Sequence, residues 1–318
     1  MSRRAGWTAV RVIVTVAIFA YVLRDFDVRA AGSALRGFSL QSIAVLAALL
    51  VADRALMLAR WVRLMRTTTD LPLRELARIF LVSSFVGSFL PAGVGGDAAR
   101  ALSVSRQTNK PGAAVASVLV DRLLGLLAVA ISGCVGVIIA RELATEDLYF
   151  LTLGASAVLL IGCLCALNAD RLAAWLIPPA WRDWTPVRLL GKLSTELSAY
   201  RRHTGVLWQV GFLSIVVQAT RIVMAWVIGR SLGIALPIDY YLVFMPLNIL
   251  IILIPVSLGG FGLPQGAMVW STEPFGVSAT QAFLLSSLFV LAGTIGNLPG
   301  ALLYLAGRRA RVRLEDPL

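Results

Sequence analysis

The sequence predicts an all-α polytopic membrane protein with about six full spans and two re-entrant broken-helix segments in an inverted repeat. The first observation is composition: 58% of the residues are hydrophobic and 14% are charged, whereas roughly a quarter are charged in a soluble domain. The second is that several apolar runs reach the roughly 20 residues needed to span a bilayer. The third is a helix-breaking motif, a proline followed four residues later by a glycine pair, which occurs twice within apolar sequence.

The composition indicates one integral membrane domain over residues 1–318, because the longest polar stretch, about 169–204, is too short for a separate soluble catalytic domain. The net charge of +12 does not indicate nucleic-acid binding, since the arginines lie between apolar runs, as in cytoplasmic loops. The three cysteines lie inside apolar segments, and the single histidine, His203, lies in a basic loop. We therefore predict no metal site, no cofactor and no catalytic residue.

The distribution of arginine predicts the side of the membrane on which each loop lies. Arginine-rich segments are retained in the cytoplasm, and they occur at the N-terminus and at about 60–78, 100–110, 171–202 and 308–313. The charged stretch at 24–27 favours an uncleaved first span over a signal peptide. With both termini cytoplasmic and the acidic segment 141–147 outside, full spans are expected at about 7–23, 41–60, 113–139, 148–168, 205–229 and 282–306.

Two further apolar runs carry the helix-breaking motifs. The run at about 76–90 has arginines on both sides, so it should enter from the cytoplasm and return there. The run at about 240–256 begins outside and must return outside if the last span carries the basic tail inward. The motif-bearing halves, about 76–140 and 240–306, would then form an inverted repeat, as in many transporters. An alternative is that each dip is a pair of short full spans.

The motif residues indicate a substrate site at membrane depth. Proline removes a backbone donor and glycine opens positive φ, so neither copy can continue as a straight helix. Irregular backbone within a bilayer is tolerated where protein buries it or where it lines a wet cavity. The alternative is that the glycines only permit close helix packing. The residues concerned are Pro91, Gly93, Gly95, Gly96 and Asp97 in the first copy, and Pro255, Gly259 and Gly260 in the second.

The residues that follow each motif form a candidate anion cradle. Asp97 can cap a following helix and can pair with Arg100 at i, i+3 spacing. Backbone N–H groups at such a helix start bind phosphate. In the second copy, Pro264 suits the start of a helix and Gln265 adds a neutral donor and acceptor.

The third predicted span contains a deep acidic and basic pair, Asp121 and Arg122. Ionisable residues cost roughly 2.5–3.5 kcal/mol each to insert, so they usually line cavities or form pairs. Ser117, Asp121 and Gly125 share one helical face, and Arg122 should meet a different neighbour. The pair is predicted to bind substrate, with a buried structural role as the alternative.

The second and fifth predicted spans contain further deep charges. Arg221 lies near the middle of the fifth span and needs either an anionic ligand or an acidic partner, for which Asp53, Asp97 and Asp121 are candidates. Arg54 can line the same site or extend its side chain to the cytoplasmic end of the second span.

Two polar features outside the motifs remain. The loop at about 169–204 mixes tryptophans with basic residues, so it is either an interfacial helix on the cytoplasmic surface or an ordinary basic connector. In the sixth span Asn297 stands beside Pro299 and Gly300, a polar break that we assign to helix packing.

Three stretches carry a family resemblance: SFVGSFLPAGVGGDAAR from Ser84, ASVLVDRLLGLL from Ala116 and GNLPGALLYL from Gly296. They resemble the transmembrane region of lysylphosphatidylglycerol synthases, also called the flippase-like domain. The resemblance covers nearly the whole chain and is most specific in the first half. It implies a multi-spanning domain that moves a lipid or lipid-linked headgroup between leaflets, with motif positions at Pro91, Gly93, Gly95, Gly96, Asp97, Asp121, Arg122 and Gly125.

The chain also departs from the family pattern. Family members often carry an arginine near Ser286 or Ser287, where this chain is uncharged. Some relatives carry a soluble aminoacyl-transferase domain, and this sequence instead continues into a basic tail, so synthase activity is not expected.

We therefore predict a transporter or flippase, not an enzyme, that moves an anionic or polyprenyl-phosphate-linked lipid between the leaflets of the cell membrane. Expected partners are membrane lipids and envelope-biosynthesis enzymes. The alternatives are a membrane-embedded transferase with a lipid-linked donor and a non-transporting scaffold of an envelope complex. The predicted substrate-binding residues are Asp97, Arg100, Asp121, Arg122, Arg221, Arg54 and Gln265.

Overall fold

The computed structural model describes residues 26–89, 94–141, 145–176, 191, 194–252 and 262–315. Within these residues the chain is α-helical with two short 3-10 turns, and no strand occurs. The α-helices are α1 Val28–Leu35, α2 Leu40–Met65, α3 Leu73–Gly87, α4 Val94–Thr108, α5 Pro111–Ile139, α6 Glu146–Leu167, α7 Ala169–Leu176, α8 Thr204–Ser231, α9 Ile238–Ile252, α10 Leu263–Thr272, α11 Ala279–Gly296 and α12 Leu298–Glu315.

Five segments of the described chain are long and apolar enough to cross a membrane, and they match the last five predicted spans. The predicted first span at 7–23 lies outside the described residues, so the count of six stays a prediction. The five segments are Leu40–Met65, Pro111–Ile139, Glu146–Leu167, Thr204–Ser231 and Ala279–Ala306.

Side-chain caps determine where several of these helices begin. Ser39 accepts a hydrogen bond from the Ser42 N–H at the start of α2. Ser278 and Gln281 form a reciprocal capping box at the start of α11. Each cap satisfies backbone N–H groups that have no partner within the helix.

The two motif-bearing regions each form a pair of short antiparallel helices. In the first pair, Arg100 of α4 reaches Ser83 of α3, and Val104 packs into a cluster with Leu76 of α3. In the second pair, α9 and α10 are joined by a hydrogen bond from Asn248 to the Pro264 carbonyl. A helix of 15 residues, such as α3, rises about 22 Å. That is shorter than a hydrocarbon core of about 30 Å, which favours re-entrant pairs over paired full spans.

The helix order repeats as span, short pair, span: α2, α3 with α4, and α5 in the first half, then α8, α9 with α10, and α11 in the second. Helices α2 and α8 pack antiparallel along a long seam. Arg60 meets Ser214 on this seam, and Asp53 meets Arg221 two turns away. Antiparallel first spans are what an inverted repeat requires, and the repeat itself remains a prediction.

Two apolar clusters pack against different stretches of α2. One joins α8, α9, α10 and α11 around Tyr241, Phe244 and Met268. The other joins α2, α3, α4 and α5 around Trp61 and Phe80. The deep polar residues of α2 and α8 meet along the seam between these helices, and the candidate site is built around them.

Candidate functional site

The first group of deep polar residues centres on Asp121 of α5. Arg60 of α2 donates two hydrogen bonds to the Asp121 carboxylate, from Nε to Oδ1 at 2.7 Å and from Nη2 to Oδ2 at 3.0 Å. Arg60 Nη1 also donates to the Ser214 hydroxyl of α8 at 3.2 Å. Paired planar groups of this kind are among the stronger charged hydrogen bonds in proteins. The contact ties three spans together.

A second guanidinium, from Arg100 of α4, also lies against Asp121. Its Nη1 is 3.7 Å from Asp121 Oδ2, and its Nε donates to the Ser83 hydroxyl at 3.2 Å. The guanidinium carbon lies 4.6 Å from the centre of the Phe80 ring and 5.3 Å from that of Trp61. The negative faces of aromatic rings attract a cation, so the two rings hold Arg100 in place together with Ser83 and Asp121.

The neighbouring residues Asp97 and Arg122 form a more accessible pair. Arg122 Nε lies 3.3 Å from Asp97 Oδ2, and the two side chains are 38% and 26% exposed. This contact is consistent with the prediction that Arg122 and the adjacent Asp121 meet different neighbours. Together with the Asp121 contacts, this pair defines the flanking network, whose charged members are Arg60, Asp97, Arg100, Asp121 and Arg122.

A second group, the central network, surrounds the fully buried Asp53 of α2. Arg221 of α8 donates from Nε to Asp53 Oδ1 at 2.8 Å, and Arg54 Nη2 lies 3.1 Å from Oδ2. Arg54 Nη1 donates to the side-chain oxygen Oδ1 of Asn297 at 2.8 Å, and Asn297 Nδ2 donates to the Ser88 hydroxyl at 2.8 Å. The charged members of the central network are therefore Asp53, Arg54 and Arg221.

Both networks include residues from one continuous stripe of α2. Asp53, Met57 and Arg60 recur at helical spacing along one face of α2. Met57 lies between the networks, and its sulfur is 3.1 Å from Arg221 Nη2. Asn297 and Ser88 extend the central network to the breaks that follow α11 and α3. Residues from both halves of the chain thus converge on one polar region.

The charges of the two networks do not balance. Among the residues that the structure describes, the flanking network has three arginines and two aspartates, and the central network has two arginines and one aspartate. Arginine stays protonated in proteins, so each network retains at least one unit of positive charge. A buried excess of one sign of charge is costly, so the excess among the described residues favours an anionic ligand.

Comparison with known families agrees with this architecture. The family model for the lysylphosphatidylglycerol synthase TM region matches residues 8–300. The chain belongs to this family. Comparisons with curated proteins and with solved structures yield no significant match.

In this member of the lysylphosphatidylglycerol synthase TM family, six of the seven predicted substrate-binding residues are members of the two networks. The exception is Gln265, which caps α10: its Oε1 accepts the Gly262 N–H at 2.6 Å. The Gln265 side-chain nitrogen is buried and has no hydrogen-bond partner among the described residues, so a capacity to donate remains there.

Several details of the sequence prediction were wrong. Helix α4 begins at Val94, so Asp97 lies in its first turn and does not act as the N-cap. Asp97 and Arg100 do not pair with each other, because both side chains face α5. Asp97 forms a salt bridge with Arg122, and Arg100 forms one with Asp121. For Arg54 the sequence left two alternatives open, and the structure has Asp53 and Asn297 hold its side chain, so it does not extend to the C-terminal end of α2.

The motif glycines that the structure describes serve close packing. A Cβ at Gly96 would lie 2.7 Å from the Ser83 carbonyl oxygen, so α3 and α4 could not approach as closely with any larger residue. A Cβ at Gly125 would lie 3.1 Å from Arg60 Nη1, so this glycine makes room for the guanidinium. Gly95 lies in α4. Predicted motif residues outside the described chain are Pro91, Gly93, Pro255, Gly259 and Gly260.

Sequence reasoning missed Arg60, which it placed at the cytoplasmic end of the second span. Helix α2 continues to Met65, and Arg60 is buried inside it. The available signal was its position seven residues after Asp53, on the same helical face. Asn297 was assigned to packing alone, although it also accepts from Arg54. Within the described residues, no group of three His, Cys, Asp or Glu residues could hold a metal ion.

Proposed function

We propose that this protein moves an anionic lipid, or a lipid-linked phosphate, between the leaflets of the cell membrane. The observation that carries the proposal is the excess of arginine over aspartate in both networks. Their charged members lie on three helices with the length and composition of membrane spans and on the shorter helix α4. A phosphate group would complete the charge balance, because arginine binds phosphate through paired N–H donors.

The flanking network offers the phosphate a point of entry. Of its ion pairs, the one between Arg122 and Asp97 is the most exposed. A phosphate that approaches this pair can replace the carboxylate as the partner of Arg122 without breaking the buried contact between Arg60 and Asp121. The central network would receive the phosphate next, about two helical turns along α2. A phosphate that moves between two such sites keeps its negative charge paired with arginine while it crosses the hydrocarbon.

The proposal includes a cytoplasmic-membrane location with both termini inside, from the arginine-rich loops. It also includes transport without chemical change of the lipid. The rival in the same membrane location is a transferase that uses a lipid-linked donor, and it would convert the lipid that it binds.

The test is a transport measurement in vesicles reconstituted with the purified protein. Fluorescent phosphatidylglycerol in both leaflets is bleached from outside with dithionite, which does not cross the membrane. We expect the protein to let the inner-leaflet lipid become bleached, and Arg122→Gln to slow this strongly. Arg106→Gln is the matched control, because Arg106 is an exposed arginine at the end of α4 and should transport normally.

The result that would overturn the proposal is equal bleaching with and without protein, both for phosphatidylglycerol and for a polyprenyl phosphate probe. Mass spectrometry of the same lipids distinguishes the rival, since a transferase given a lipid-linked donor would generate a new lipid species. An unchanged rate in Arg122→Gln would separately refute the role of the flanking network.

A further inference from the structure

A groove of about 470 Å³ runs between α5 and α8 on the surface of the protein. This volume lies within the range of about 300–1,000 Å³ that is usual for ligand sites. The lining is apolar apart from Thr204, and both helices belong to predicted membrane spans. The side chains that form its walls include Leu124, Leu127 and Ile131 of α5, and Leu207, Trp208 and Phe212 of α8.

The groove lies beside the flanking network. Leu124 lies three residues after Asp121 on α5, and Ile215 directly follows Ser214 on α8. Asp121 and Ser214 are both hydrogen-bonded to Arg60. The apolar lining of the groove therefore lies within one helical turn of a polar site that carries excess positive charge.

The start of α8 also lines the groove. Trp208, in the second turn of this helix, is 81% exposed and Phe212 is 68% exposed. Tryptophan is enriched where a span meets the headgroup region. The groove thus connects the predicted cytoplasmic interface to the flanking network along the surface of the bundle.

We propose that this groove holds one hydrocarbon chain of an anionic lipid while the phosphate of the same lipid lies against the flanking network. The proposal rests on the proposed function and names where its substrate binds. Bilayer lipid is as apolar as the groove, so chain burial itself adds little affinity. The groove positions the chain, and the guanidinium groups select the lipid by its charge.

The groove can be filled without disturbing its walls. A Cβ at Gly211 would meet no heavy atom within 4 Å, and the same holds for Gly162 on α6, outside the groove. Gly211→Leu therefore blocks the groove, and Gly162→Leu makes the same change elsewhere on the membrane surface. Ile131→Phe fills the groove from α5 as an independent second variant.

The test measures quenching of Trp208 by brominated lipid in reconstituted vesicles. The bulk lipid is phosphatidylcholine, with a small fraction of dibrominated phosphatidylglycerol or dibrominated phosphatidylcholine that has identical chains. The signal from Trp208 is the difference between the parent protein and Trp208→Phe. We expect several-fold stronger quenching by the anionic lipid, lost in Gly211→Leu and Ile131→Phe and kept in Gly162→Leu.

Equal quenching by the two lipids would overturn the groove proposal, as would a selective signal that survives Gly211→Leu. A helix of another protein in the groove would give weak quenching by both lipids and would overturn it too. Failure of the groove proposal and failure of the proposed function give different results. Selective quenching of Trp208 without bleaching of the inner-leaflet lipid would show that the lipid binds and is not transported.

Discussion

At the scale of single residues, the site is governed by the cost of burying charge. Asp121 and Arg60 have side chains that are 8% and 7% exposed, and their contact is short and paired. Such a pair contributes little net stability, because both groups lose hydration. Removing one partner destabilises the fold, because the remaining charge stays buried without compensation.

We expect Asp121→Asn to destabilise the protein by about 3–5 kcal/mol, because the guanidiniums of Arg60 and Arg100 would lose their shared carboxylate. The measurement is the free energy of unfolding in mixed detergent micelles. Asp70→Asn is the control, because Asp70 is exposed in the turn before α3 and should change stability by less than about 0.5 kcal/mol. Equal stability of the two variants would contradict the assigned ion pair.

At the scale of elements, glycines determine how closely the helices approach. A Cβ at Gly136 of α5 would overlap the carbonyl group of Leu242 in α9, and one at Gly300 of α12 would overlap that of Leu81 in α3. Each contact joins a span of one half to the short helix pair of the other half. An inverted repeat predicts two corresponding contacts of this kind, because equivalent helix crossings should use equivalent small residues.

Gly136→Ala should therefore cost about 1–3 kcal/mol, as overpacking of a tight contact usually does. Gly154→Ala on α6 is the matched control, because its Cβ would meet no heavy atom within 4 Å. That change should be neutral or stabilise the helix by up to about 1 kcal/mol, since alanine favours helix more than glycine does. Thermal unfolding in detergent measures both, and a neutral Gly136→Ala would refute the close crossing.

The polar break between α11 and α12 also links two elements. Asn297 connects Arg54 of α2 to Ser88 at the end of α3. In a double-mutant cycle, Asn297→Ala and Ser88→Ala should show a coupling energy of about 0.5–3 kcal/mol, as contacting residues do. Additive effects on the free energy of unfolding would show that the hydrogen bond contributes nothing to joining the two halves.

At the scale of the whole molecule, loop charge predicts that the two short helix pairs enter from opposite faces. We expect single cysteines at Asp70 and Lys110, at the base of the first pair, to be shielded from an impermeant maleimide added outside intact cells. Cysteines at Glu146 and Glu273 should react, since the loop before α6 and the base of the second pair are predicted to lie outside.

The cysteine experiment needs a background in which Cys134, Cys163 and Cys165 are replaced by alanine. Labelling of both pair bases from the same side would refute the inverted repeat and would leave the helix packing of each half unaffected.

The sequence by itself determined the membrane class, five of the spans and the positions of the short helix pairs. These follow from hydropathy, helix breakers and arginine distribution, which are local properties of consecutive residues. It also singled out most members of both networks, because a charged residue within an apolar run is conspicuous in one dimension.

Only the tertiary structure decided which charges meet. Asp53 pairs with Arg221, which is 168 positions away, and Arg60 with Asp121, which is 61 positions away. Hydropathy carries no information on such partners, because they depend on which helix faces pack together. Arg60 looked like the end of a span in the sequence, and it became part of the site only because α2 extends past it and packs against both α5 and α8.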